Sequence, residues 1–109
     1  MSAPEQPERQ PAAPEICRAI AGRRLLMFGY GEWVGVVEPH VYGVSTAGHE
    51  AVSAWLRPGL SRVDPEGGWR MYLVSRMREL QVLDERFAAP RAGYNPEDSH
   101  FVHVYCRVE

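Results

Sequence analysis

From Leu25 to Val108 the chain never runs far without a turn-former: Gly29, Gly31, Gly48, Pro58-Gly59, Pro65, Gly67-Gly68, Pro90, Gly93 and Asn95-Pro96 cut it into short apolar or alternating runs. Gly and Pro at that spacing leave no room for long helices, and strands separated by tight turns are what remains. Leu25 to Tyr30, Trp33 to Ser45, Ala51 to Arg57, Trp69 to Ser75, Glu79 to Asp84 and His100 to Val108 read as strands, Ala47-Gly48 as a tight turn and residues 88 to 98 as a surface loop. In the last strand the period of two puts Val102, Val104, Cys106 and Val108 on a core face, and Phe101, His103, Tyr105 and Arg107 on the other.

One segment breaks the pattern. Pro14 stands at a first-turn position, Glu15 lies near the positive helix end, Ile16, Ala19 and Ile20 fall at helical spacing, and Gly22 closes the run. Two turns are too short to stand alone in water, so the Ile16/Ile20 stripe must dock elsewhere. Four of the nine prolines lie in residues 1 to 14 among Ala, Glu, Gln and Ser, a mixture that buries too little apolar surface to order itself. The expected organisation is a flexible tail over residues 1–13 and one domain over 14–109. A flat sheet would leave one side of so many apolar strands wet, so the expected fold is mainly β: a small half-open barrel with a short N-terminal helix at one end.

The 109 residues carry a formal net charge of -2, so no whole-molecule attraction to nucleic acid is expected and any anion site must be local. All twelve basic residues are Arg, whose planar fork grips phosphate or carboxylate bidentately. Cys17 and Cys106, 89 positions apart, form no CxxC and no zinc quartet, and are expected as reduced core residues. The N-terminus has no apolar run of signal-peptide type and no stretch suits a membrane helix, which leads to the expectation of a cytoplasmic protein with no membrane partner.

The order of landmarks resembles the WYL domain, a Sm-like or SH3-like barrel of bacterial transcription regulators and defence-associated proteins. The matching stretches are ICRAIAGRRLLMFGY, VVEPHVYGVSTAGHE and GWRMYLVSRMRELQVLDERF, over about residues 16 to 87, while AGYNPED to VYCRV is similar to small free-standing members. The family's tripeptide is essentially lost at Glu50-Ala51-Val52, and Gly35 and Leu73 stand where basic residues are usual. The resemblance implies a ligand-sensing or oligonucleotide/anion-binding regulatory domain, in transcription regulation or phage defence, without a helix-turn-helix of its own.

Arg70 and Arg76, with Tyr72, form the best candidate cluster, because phosphate needs forked donors and a base needs a flat face to stack on. On an ideal strand Arg70 and Tyr72 share a face and Trp69 points into the core. Arg57 and Arg62 bracket the loop PGLS as further phosphate contacts, and His40 and Tyr42, two apart in a strand, line a pocket. The expected partner is an anionic ligand or short oligonucleotide. No cofactor or metal is expected: His100, His103 and Cys106 cannot converge on a regular strand. No GxSxG, phosphate loop or activated cysteine argues for an enzyme. The alternative is a protein-interaction or dimerisation module with a degenerate ligand site, and exposed barrel edges with Phe101 and Tyr105 suggest a homodimer.

Overall fold

The computed structural model describes residues 10–58 and 67–109. The helix α1 spans Pro14–Gly22, with proline in its first turn and Ile16, Ala19 and Ile20 buried. Its end is set by Arg23, which takes a left-handed conformation (φ 54°) and returns its N–H to the carbonyls of Ala19 and Ile20. A left-handed arginine needs anchoring. Here the guanidinium donates to the carbonyls of Ala88 and Glu109, and the Arg23 carbonyl accepts the Phe87 N–H.

Among the described residues six antiparallel strands follow: β1 (Arg24–Tyr30), β2 (Trp33–Ser45), β3 (Glu50–Leu56), β4 (Gly68–Leu73), β5 (Met77–Arg86) and β6 (Phe101–Arg107). A 3-10 turn, Val74–Arg76, carries β4 into β5. The sheet order is β4-β3-β2-β1-β5, with β6 added to β2, and the sheet does not close on itself. The fold is thus the expected half-open barrel. The thirteen residues of β2 organise it: the first part pairs with β1, the second with β6, and the opposite edge with β3. Such a strand is covered from every side, and Val37 through Ser45 are all buried. The core joins the α1 stripe to Leu26, Phe28, Val37, Val52 and Leu56.

Four expectations need correction. Cys17 on α1 and Cys106 on β6 are not reduced: they are joined in a disulfide, their Cα atoms 5.7 Å apart. Residues 12 and 13, read as tail, are held, because the Ala12 N–H donates to the Glu50 carboxylate and the Ala13 N–H to the Tyr42 hydroxyl; residues 1–9 lie outside the described residues. In β6 the two faces are not those of a regular strand. Bulges at Tyr105 and Val102, where β6 has one residue more than β2, shift the register, so Phe101 is buried while Val102 is 67% exposed. Finally, Phe101 packs with Val41 and Ala51, and Tyr105 donates to Glu50 and packs its ring on Tyr42, so both aromatics are engaged within the chain and give no motive for a dimer.

Candidate functional site

The register of β4 on β3 decides which way its side chains point. Tyr72 lies opposite Val52, a core residue, and is buried edge-on against Phe28, Tyr30 and Trp33. It is therefore a core residue rather than a stacking platform. Trp69, expected in the core, instead lies opposite Trp55 and meets it edge-on with ring centres 5.8 Å apart. Arg70 and Arg76 are not brought together: the Arg70 guanidinium turns back to donate to the carbonyls of Trp69 (2.7 Å) and Gly67 (3.2 Å), whereas exposed Arg76 sits beyond the other end of the strand.

Gly35 has a local reason. A Cβ there would fall 2.0 Å from Cζ3 of Trp33, so a basic side chain at this position would displace the indole from its place against Phe28 and Tyr72. Leu73 is half-buried, and its N–H donates to the Tyr30 hydroxyl.

His40 and Tyr42 are both fully buried and do not share a pocket. A bulge between Pro39 and Val41 inserts His40 as an unpaired extra residue, which breaks the alternation that would have aligned the two. Tyr42 bonds α1 and Glu50: its hydroxyl accepts from Ala13 and donates to the carboxylate, and burial followed by that contact raises its pKa. His40 faces Trp69, Phe87 and Tyr94, with ring centres 4.7 to 5.3 Å away. Its Nε2 accepts the Arg91 N–H (3.1 Å), so Nδ1 carries the proton donated to the Glu38 carbonyl (2.8 Å). The ring is neutral, and burial is the main cause of its lowered pKa.

Beside it lies a carboxylate absent from the expected site. Glu38 is fully buried, and Arg91 grips it with two parallel bonds, Nε to Oε1 and Nη2 to Oε2, each 2.8 Å. Arg57, expected as a phosphate contact, adds Nε to Oε2 at 3.0 Å and reaches Glu85 at 2.7 Å with Nη1. Burial alone would raise the Glu38 pKa, but the hydrogen bonds and charges of Arg91 and Arg57 outweigh it and leave the pKa below the usual carboxylate value. The Arg91 guanidinium also lies 5.1 Å from the ring centre of Trp55. The sequence carried a signal for this: an acid inside the apolar run VVEPHV must be buried with its strand and must find a cation. Arg62 lies outside the described residues.

This clamp fixes the 88–100 segment across the sheet. Between that segment and β3–β4 runs a cleft of about 400 Å³. Trp69, Tyr94, Met71 and Val41 form apolar walls, and Ser53, Arg70, Asn95, Asp98 and His100 supply polar groups. Both aromatics are fixed: the Trp69 indole N–H donates to the Ala92 carbonyl (2.9 Å) and the Tyr94 hydroxyl to the Val108 carbonyl (2.9 Å). Asp98 accepts from the His100 backbone and contacts its Nδ1 at 2.6 Å, which leaves Nε2 as the free ring nitrogen. Among the described residues no group of three or more His, Cys, Asp or Glu side chains is arranged to hold a metal ion, and no helix is long and apolar enough to cross a membrane. Compared with family models, characterised proteins and solved structures, the chain matches none.

Proposed function

We propose that the chain is a non-enzymatic ligand-sensing domain whose site is the cleft between β3–β4 and the 88–100 segment, taking a small anionic ligand with a flat ring. The observation that carries this is the pair Trp69 and Tyr94, two aromatic walls locked by main-chain carbonyls in one cleft whose rim is polar. Side chains already fixed before binding lose little entropy when a ring enters between them. His100 and Arg70 at the rim suit the anionic part. The resemblance to the WYL domain agrees in kind, a regulatory barrel that binds an anion or short oligonucleotide, and transfers no residue unchanged, because Tyr72 is core and Arg70 and Arg76 are apart.

A thermal-shift screen against nucleotides, short oligonucleotides and acidic metabolites tests the proposal, since a ligand that binds only the folded state raises its melting temperature. Met71→Trp, at a position 39% exposed in the cleft wall, fills the cleft without touching the core. A hit that Met71→Trp abolishes is the expected result. No hit, or a hit the variant leaves intact, refutes the site.

The second reading, an interaction or dimerisation module, has one observation in its favour: among the described residues β4, β5 and β6 each pair on one side only, which leaves their outer edges open to strand addition. The cytoplasmic address belongs to the same proposal. In that compartment the Cys17–Cys106 bridge meets reducing thiols, whereas an oxidising compartment keeps it closed. The redox state of the two cysteines in protein taken from cells distinguishes the two.

A further inference from the structure

Arg70 and Arg76 lie apart, but the fold gathers Arg57 with two other arginines. At the end of β5, where the chain enters the 87–92 turn, a cavity of about 520 Å³ is lined by Arg57, Arg86 and Arg91, with Phe87 and Pro90 as apolar wall and Glu38 at its base. Arg86, paired through its backbone with Arg24, is exposed, and its guanidinium makes no hydrogen bond or ion pair with the described residues. We propose that this cavity binds a phosphoryl group, with Arg86 as the principal contact and Arg57 and Arg91 as its fixed partners.

The chemistry follows from counting donors. A guanidinium has five N–H groups in a planar fork. Arg91 directs Nε and Nη2 at Glu38, and Arg57 directs Nε at Glu38 and Nη1 at Glu85, so Nη1 of Arg91 and Nη2 of Arg57 still carry unused hydrogens. Both groups share the oxygen Oε2 of a carboxylate that is itself fully buried, so their heads are held side by side before any ligand arrives. Arg57 and Arg91 bond two carboxylates, Glu38 and Glu85, and among the described residues no acid bonds the Arg86 guanidinium.

The surroundings reinforce it. Arg86 also lines the adjoining cavity of about 560 Å³ with Arg23, Arg107 and Glu109. There Arg23 bonds the carbonyl of Ala88 and a main-chain oxygen of Glu109, and Arg107 bonds the carbonyl of Pro96, so the carbonyls of Ala88 and Pro96 satisfy hydrogens without cancelling charge. Five arginines line the two cavities, Arg23, Arg57, Arg86, Arg91 and Arg107, with two acidic residues, Glu38 and Glu109, on a chain whose formal net charge is -2. Donors from three separate side chains suit a tetrahedral group with several charged oxygens better than a planar carboxylate, which a single fork saturates. The site shares no lining residue with the ring-binding cleft, so either can fail without the other.

Calorimetric titration with inorganic pyrophosphate at low and moderate salt, on wild type, Arg86→Ala, Arg86→Lys and Arg76→Ala, is the test. Arg86 has no partner to lose in the fold and Arg76 is an equally exposed arginine elsewhere, so all four proteins should fold alike, which circular dichroism checks. Saturable binding is expected in the wild type, weakened about tenfold or more by Arg86→Ala, as befits one lost charge-assisted contact. Arg86→Lys should recover part of it, and Arg76→Ala should match the wild type. The proposal is overturned by no saturable binding in the wild type, by Arg86→Ala binding as the wild type does, or by equal losses in the Ala variants, which would mean diffuse charge attraction only.

Discussion

Replacing Glu38 by Gln keeps the side-chain shape and removes the charge that two arginines share. The wild-type carboxylate accepts three charge-assisted hydrogen bonds at 2.8 to 3.0 Å and is fully buried. Removing one partner of such a buried cluster costs about 3–5 kcal/mol, because the remaining charge is left uncompensated. Here the stranded cations are not deeply buried: the Arg57 and Arg91 side chains are 28% and 43% exposed and can turn to water. That places the expected loss near the lower end, about 3 kcal/mol. The amide oxygen of Gln still accepts one bond, but its NH2 faces a guanidinium N–H, donor against donor. For a domain of this size about 3 kcal/mol lowers the melting temperature by roughly 10–20 °C. Urea unfolding at neutral pH with a two-state fit measures it.

The pH dependence supplies a second readout of the same clamp. The Glu38 pKa is lowered in the folded chain, so its contribution is present above the ordinary carboxylate pKa and is lost as the pH falls through the folded value. Glu38→Gln should therefore lose part of the wild-type acid sensitivity. A stability loss under about 1 kcal/mol with unchanged acid sensitivity would refute the clamp, and with it the account of what holds the 88–100 segment over the cleft.

Two further outcomes are expected. The Cys17–Cys106 bridge closes a loop with a sequence separation of 89, so replacing both cysteines by Ser should cost about 4–5 kcal/mol in the chain-entropy account, read as a drop in the denaturation midpoint that dithiothreitol reproduces in the wild type; equal midpoints would refute a bridge in solution. His40 has a lowered pKa in the fold, so the unfolded chain takes up its proton first: stability should be full above the ordinary histidine pKa of about 6.5 and decline as the pH falls below it, at a higher pH than the Glu38 window. His40→Gln should flatten the slope of urea midpoints between about pH 7 and 5.5, and a slope that survives would assign the effect to another group.

Local pattern alone determined the element list. Pro14 and the Ile16/Ile20 stripe marked α1 to the residue, and the turn-formers set β1, β2 and β3 to within a residue or two, because helix entry and strand ends depend on groups only a few positions apart. Facing was another matter. A period of two predicts which side chains share a face only while the register holds, and one bulged residue reverses every position beyond it. The insertion of His40 into β2 and the bulges of β6 did this to the His40–Tyr42 pair, to Val102 and to Phe101. In β4 no bulge was needed: the alternation was right, and only its pairing with β3 could tell which side was core, so Tyr72 and Trp69 exchanged their expected roles. The contacts that build the cleft and the arginine cavity join residues far apart in the chain, Glu38 to Arg91 and Trp69 to Ala92, as does the Cys17–Cys106 bridge that ties α1 to β6. No local spacing encodes such pairs. A buried acid announces that it needs a cation, but which of twelve arginines arrives is decided by the path of the 88–100 segment across the sheet.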